Sequence, residues 1–351
     1  MKVLFLTKYT RQGASSRVRT FMYLDFLKDN GIDVTVSPFF YDQHLQLVYK
    51  HRKHSKALYL KSFLRRLYVL PTVFRYDKVV IEKELFPYFP AVFERILGIL
   101  GIRYVVDYDD AIWHNYDFSG SRLIKTLLSQ KISKVMKISS LVLAGNEYIS
   151  QKAVSSGARK IAYLPTVIDT SKYRVKDYQE GRPFVIGWVG SPITHKYLAA
   201  LKPVFERLAL DYSIRLKLVG ANTGIGMPDI EEIVPWSESN EVELIQSFNV
   251  GIMPLEDNIW ERGKCGYKLI QYMGCGVPVI GTPLGVNDRI ITQNVTGFKA
   301  NNLDEWYNYL RVIIEGGVEM EKRMGLAGRG FIESNYSLDA HRGNYLEYIV
   351  S

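Results

Sequence analysis

Residues 261–282, ERGKCGYKLIQYMGCGVPVIGT, decide how the chain is read. They spell loop, short helix, turn and strand. Arg262, Gly263 and Lys264 precede a segment that can begin a helix near Gly266. The helix is expected to stop at Gly274 to Gly276, where glycine can take the left-handed C-terminal position. Pro278 blocks continuation, and Val277-Pro278-Val279-Ile280 reads as a short buried strand. A helix N-terminus offers unpaired N–H groups and the positive end of the dipole. Glycines allow close approach to the backbone, and Lys264 adds a mobile charge. The physical reading is a phosphate site feeding a helix. The alternative is a plain loop–helix–strand crossover with a solvated lysine, and the stretch alone does not choose between them.

Working outward, 351 residues suggest two domains of ordinary size. Hydrophobic residues make up 47%, enough for two cores. A net charge of +9 favours an anionic ligand or surface: phosphates, nucleic acid or anionic lipid. The two cysteines, Cys265 and Cys275, both fall in the opening stretch. They are too few for a disulfide framework and have no nearby histidine, so free thiols are expected and metal binding is not. The N-terminal MKVLFLTKYT is too short for a signal peptide's apolar core and reads as a first strand. No run reaches the roughly 18 apolar residues that span a bilayer, so a soluble or peripheral chain is expected.

In the first half, Lys2 to Thr7 is a strand, TKYTRQGASSRVR a polar loop, and Phe21, Leu24, Phe26 and Leu27 mark a helix. A second strand, DVTVSP, follows Gly31. This order begins a doubly wound α/β domain, whose loop lies where open parallel sheets bind ligands. The loop holds Gly13, Ser15, Ser16, Arg17 and Arg19, with one glycine only. GxGxxG is absent, which counts against a dehydrogenase; Arg17 and Arg19 could equally be helix-surface charge. From Gln43 to Tyr76 there is no acidic residue. Lys50, Arg52, Lys53, Lys61, Arg65 and Arg66 are interleaved with an apolar stripe at Leu60, Phe63, Leu64 and Leu67. A basic amphipathic helix suits an anionic membrane surface. Nucleic acid is disfavoured, since no motif for it accompanies the patch. IRYVVDYDDAIW then runs a strand into Asp107, Asp109 and Asp110. Carboxylates so close should raise one another's pKa values, which suits acid or base work, and could hold a metal. A helix cap with surface acids is the bland reading. Trp113 and His114 follow and could floor a sugar site.

After KIAYLP the polar segment TVIDTSKYRVKDYQEGRP is the expected linker. FVIGWVGSPITHKYLAAL restarts strand, glycine-bearing loop and helix, with Gly190, Ser191, Thr194, His195 and Lys196 between strand and helix. Gly297-Phe298 reads as a hairpin-like turn, and Leu303–Ile314, Val318–Glu333 and Tyr336–Val350 as helices. The fold class is α/β: two Rossmann-like doubly wound domains, with ligands expected at the carboxyl edges, in a cleft between them.

RGKCGYKLIQYMGCGVPVIGTPLGVN resembles the donor-binding segment of bacterial polysaccharide glycosyltransferases of GT-B-fold family 4, retaining enzymes that use nucleotide sugars. SSRVR, YVVDYDDAIW, YLPTVIDTSKY, IGWVGSP and VGIMPL occur in the matching order, so the resemblance covers nearly the whole chain. It implies an acceptor-binding domain over 1–167, a nucleotide-sugar domain over 168–335, and a tail helix over 336–351 that can cross back. The family's glycine loop falls on Gly13, Ala14 and Ser15, with Arg17 beside it. Its frequent histidine falls near Asp109 and Asp110, the implied catalytic pair. Its diphosphate-binding arginine falls on Ser191, beside Gly190, and its lysine on Lys196; Lys264 is expected to take part of that charge. The donor segment contributes Gly266, Tyr267, Lys268, Leu269 and Gln271. The family's two glutamates, separated by seven intervening residues, fall on Gly263 and Gln271, with Glu261 two residues off.

The implied activity is transfer of a sugar from a nucleotide-diphosphate sugar to a glycan or lipid-linked acceptor, with no other cofactor, no metal and no nucleic acid. Cytoplasmic location at the inner face of the cell membrane goes with it. A nucleotide-sugar epimerase and a non-catalytic nucleotide-sugar-binding or membrane-scaffold protein are the competing readings. Fold does not separate them, because function lives in the site.

Overall fold

A computed structural model describes residues 1–49, 55–179, 183–191 and 194–351. The chain forms two compact units, 1–166 with 341–351, and 167–340. The first unit contains β1 Lys2–Leu6, β2 Asp33–Val36, β3 Lys78–Glu82, β4 Tyr104–Tyr108, β5 Leu141–Ala144 and β6 Ile161–Tyr163. They form one sheet in the order β2-β1-β3-β4-β5-β6, each neighbour parallel to the next. The second unit contains β7 Phe184–Val189, β8 Ile214–Val219, β9 Glu231–Val234, β10 Val250–Met253, β11 Val279–Gly281 and β12 Gly297–Lys299. Their order is β12-β11-β10-β7-β8-β9, again parallel throughout.

The central strands are near-continuous apolar runs, LVLA in β5 and VGIM in β10, because helices cover both faces of a parallel sheet. In each sheet the strand order reverses beside the first strand. The switch lies between β1 and β3 in one unit and between β7 and β10 in the other. Loops diverge there, which opens a crevice at the carboxyl ends of the strands.

Several expectations change. SSRVR is helical rather than loop, within the helix Ala14–Arg19, and its Arg17 and Arg19 are buried rather than on the surface. Gly297-Phe298 is not a turn; it starts β12, which pairs with β11. The expected linker is packed onto the second unit: Ile168 and Tyr173 are in its core, and the buried Lys176 pairs with Glu321. The helix Leu303–Asn335 is broken at Gly317 (φ 58°, ψ −159°), so the run consists of two helices. At the C-terminus, the ring of Tyr345 lies tilted against that of Tyr23, centroids 4.1 Å apart, and Arg342 lies over Phe26 at 5.0 Å, both within the first unit.

In the basic segment, Lys50, Arg52 and Lys53 lie outside the described residues. The helices Asp42–Tyr49 and Lys56–Val69 flank them. Lys61 is exposed, and Arg65 is half-buried, 3.9 Å over the ring of Tyr41. Arg66 is 1% exposed and donates to the carbonyls of Thr7 and Ser37 at 2.9 and 3.0 Å. It caps the interior end of the sheet and cannot touch a membrane.

Candidate functional site

In the second unit the switch point is built by the end of β7 and the stretch that leads into the helix Tyr267–Gly274. Gly266 caps that helix in the left-handed region, φ 65°, where a side chain would be strained. A Cβ there would also meet Ile290 Cδ1 at 2.5 Å. The helix therefore starts abruptly, with its first N–H groups turned out and Lys268 in its first turn. Lys268 Nζ lies 5.0 Å over the ring of Trp188 and 3.5 Å from Thr194 Oγ1. Among the described residues no carboxylate reaches it within ion-pair distance. Burial, with the charge of Lys264 added, pushes its pKa down to about 8 despite Glu261. A half-buried cation with too few partners is one that an anion would stabilise.

Glu261 lies on the short helix Ile259–Arg262, 5% exposed. Its Oε1 accepts from Tyr197 Oη at 2.7 Å, and its Oε2 is buried with no hydrogen bond. Gln271 is also buried, and donates from Nε2 to Tyr173 Oη at 2.8 Å. Tyr173 Oη in turn donates to Glu241, which also accepts from Trp236 Nε1. Gln271 is thus tied into a tyrosine–glutamate network in this state. Leu269 is wholly in the core, so its side chain is removed from the candidate ligand contacts. Tyr267 is half-buried, with its hydroxyl 3.4 Å from that of Tyr173. Lys196 is exposed, 4.9 Å over the ring of Tyr197. It lines a surface cavity of about 380 Å³ with Thr282 and Trp306. Gly190 closes β7, and Ser191 exchanges hydrogen bonds with Thr194.

The first unit's switch point carries the opposite chemistry. Gly13 precedes the helix Ala14–Arg19 because Tyr9 packs against it: a Cβ would stand 2.4 Å from Tyr9 Cβ. This places Ser15 and Ser16 over the strand ends, while Ala14 is exposed. Ser15 Oγ donates to Asp109 Oδ2 at 2.5 Å and Ser16 Oγ to Glu82 Oε1 at 2.7 Å. Lys83 follows β3 in a left-handed conformation, φ 62°. Its ammonium meets Asp109 Oδ1 at 2.9 Å and Asp110 Oδ2 at 3.0 Å. Burial opposes that charge, but Asp109, Asp110 and Glu82 outweigh it and hold Lys83 well above the usual lysine range. Glu82 is itself pushed up to about 7, chiefly by burial.

The three aspartates therefore do not act as a mutual cluster. Asp107 is held by Arg19 Nε at 3.0 Å, and burial raises its pKa despite that pair. Asp109 and Asp110 share Lys83. Among the described residues no group of three or more His, Cys, Asp or Glu side chains is placed to hold a metal. Of the pair, Asp110 is the accessible one, its side chain 43% exposed against 11% for Asp109. Trp113 is buried and so is no sugar floor, and His114 Nε2 is 3.0 Å from Tyr148 Oη. Lys83 and Glu82 were passed over in sequence. The available signal was two charges, Glu82-Lys83, directly closing the apolar run of β3.

Residues 183–315 match the family described as Glycosyl transferases group 1. No curated protein matches the chain by sequence. Among solved structures, a glycosyltransferase from Rickettsia africae is 13% identical with a TM-score of 0.71, covering 99% of this chain and 97% of that one. HepE from Anabaena, in complex with UDP, is 14% identical with a TM-score of 0.66, each chain wholly covered. The lipopolysaccharide outer core galactosyltransferase WaaB is 14% identical with a TM-score of 0.64, covering 100% of this chain and 99% of that one. The fold is that of the GT-B glycosyltransferases, and the stretch that matches the glycosyltransferase group 1 model lies within the second unit.

Proposed function

We propose that the protein is a retaining glycosyltransferase of cell-surface polysaccharide synthesis. It moves a hexose from a nucleotide-diphosphate sugar to a hydroxyl of a glycan or lipid-linked acceptor, at the cytoplasmic face of the membrane. The observation that carries this reading is Lys268: a half-buried cation without an acidic partner, at the switch point of the domain that matches the glycosyltransferase family. The UDP complex of HepE supports a nucleotide donor.

In this reading the charge on the departing diphosphate is met by Lys268, Lys264 and the first N–H groups of the helix Tyr267–Gly274. Glu261 supplies a buried carboxylate oxygen for a donor hydroxyl, two residues from where the resemblance places one. In the first unit Ser15 and Lys83 fix Asp109, and Asp110, the more exposed of the pair, orients the acceptor hydroxyl.

A thermal-shift screen with UDP, GDP, dTDP and their sugars tests the donor half, because a ligand of the native state raises Tm. One nucleotide is expected to stand out, with its sugar conjugates. Incubation with the selected donor alone separates the competing activities. A transferase leaves the sugar's configuration unchanged and at most hydrolyses it slowly, whereas an epimerase inverts a centre. No nucleotide shift at all would sink the proposal.

A further inference from the structure

One helical layer of the first unit has an outer surface unlike any other part of the molecule. The helices Lys56–Val69, Val92–Ile99, Arg122–Leu128 and Lys131–Ile138 all send side chains into the same core over one side of the sheet. Phe63 on the first meets Phe93 on the second, so these two are neighbours. Together the four helices contain one acidic residue, Glu94, and it is fully buried.

What they show to solvent is apolar tips between cations. Leu60, Leu64 and Tyr68 recur every fourth residue on the first helix and are all exposed, Tyr68 at 84%. Ile96 and Ile99, three apart on the second, and Leu123 and Leu127, four apart on the third, are exposed as well. Exposed cations run alongside: Lys61, Arg95, Arg122, Lys125, Lys134 and Lys137. Single exposed apolar residues need no explanation. Seven at helical spacing, on adjacent helices stripped of exposed acid, do. The second unit offers the contrast: its exposed Leu210, Ile233, Trp260 and Val295 sit on separate elements, and its long helix, which exposes Leu303 and Leu326, mixes Asp304, Glu305, Glu319 and Glu333 among its cations.

We infer that this four-helix surface docks on an anionic lipid bilayer, with the leucine and isoleucine tips entering the headgroup region and the lysines and arginines meeting lipid phosphates. Nucleic acid would use the cations and leave the apolar tips in water. A second copy of the chain would cover the tips but bring its own identical cations against these. Only an anionic, partly apolar surface satisfies both sets at once. The inference rests on the membrane location within the proposed function and deepens it. The contact spreads from the segment read in sequence to three further helices, and it loses Arg66.

The test is co-sedimentation of the whole protein with vesicles, without donor or acceptor. Vesicles of phosphatidylglycerol and phosphatidylcholine in equal parts should carry it down, pure phosphatidylcholine should not, and added salt should release it. Each lysine near such a surface contributes roughly fivefold to partitioning. Hence Lys61→Glu with Lys125→Glu and Lys137→Glu should weaken binding by about a hundredfold or more. Leu64→Ser with Leu123→Ser should weaken it further at every salt concentration. Lys322→Glu with Arg323→Glu, exposed charges of the second unit, should change nothing. Binding that ignores the first-unit variants overturns the surface. So does a wild-type dimer by light scattering that Leu64→Ser with Leu123→Ser dissolves, or duplex DNA binding where vesicles fail. Transfer to a soluble acceptor should be intact in all variants, so loss of lipid binding alone leaves the catalytic proposal standing.

Discussion

Each switch point lies beside the first strand of a six-stranded parallel sheet, which has one strand on its far side in the first unit and two in the second, and their electrostatics are opposite. In the first unit four carboxylates, Glu82, Asp107, Asp109 and Asp110, surround Lys83 and Arg19. Both cations are paired inside the protein, and of the carboxylates Asp110 is the most exposed. In the second unit Lys268 leans on an indole and a hydroxyl, with Lys264 raising the local positive potential. The Lys268 charge there is placed to meet an anionic ligand. One scaffold thus makes a preset polar anvil in one half and an unfilled anion seat in the other. The difference comes from which residues close the strands, not from the strands.

The largest effect should come from removing the preset pair. Lys83→Met removes the ammonium that Asp109 and Asp110 share. Breaking a buried pair from one side costs about 3–5 kcal/mol. Chemical denaturation should register that loss, and nucleotide binding by the second unit should survive where the chain stays folded. A Lys83→Met protein as stable as the wild type would break the contrast between the two edges.

Next in size, Lys268→Ala should weaken nucleotide-diphosphate binding by roughly ten- to a hundredfold, the range for a charge-assisted hydrogen bond. Stability should be unchanged or slightly higher, since an under-partnered cation is lost. Lys264→Ala should weaken the same binding by a smaller factor. Calorimetric titration with the nucleotide found by thermal shift checks both; unchanged affinity in Lys268→Ala would remove the anion seat.

Glu82→Gln sharpens the first edge. The folded pKa of about 7 lies above the unfolded carboxylate value, so the folded state holds a proton that the unfolded state releases. Wild-type stability should therefore fall as pH rises from about 4.5 to 7, by about 1–3 kcal/mol, and stay low above that. The glutamine variant should lack this slope. Its Oε1 can still accept from Ser16.

The smallest effect is the pH dependence of donor binding. With Lys268 at about 8 in the free protein, affinity should decline as pH rises through that value. Bound phosphate would pull the proton back on, so the decline should amount to no more than about tenfold per unit of pH. Lys268→Arg, charged throughout, should flatten it.

The fold was legible because its signals are local. LVLA, VGIM and VVIE are bounded apolar runs, and Asn146 caps the helix Glu147–Ser155 by accepting from Ile149 N, as an asparagine before a helix should. Two α/β halves followed from repeats of that pattern. Errors arose where a segment's conformation depends on a partner distant in sequence. Gly297-Phe298 looks like a turn until β11 lies beside it. The polar stretch after Pro165 looks like a linker until Tyr173 reaches Glu241 and Lys176 reaches Glu321. Arg66 belongs to the same class. Its helix reads as amphipathic and basic, yet one of its two adjacent arginines points inward, because carbonyls of Thr7 and Ser37 are there to receive it.

Amino-acid order alone determined where backbone groups could pair within a few residues, and which short runs were too apolar to stay in water. That was enough for parallel strands, crossover helices, a glycine-started helix after Lys264 and a cluster of acids after β4. Tertiary structure alone decided which charges meet. Lys83 finds Asp109 and Asp110 across 26 and 27 residues, Arg19 finds Asp107 across 88, and Lys268 finds no acid within ion-pair distance among the described residues. Coulomb energy depends on distance in space and on the burial of both partners, and neither quantity is written in sequence spacing.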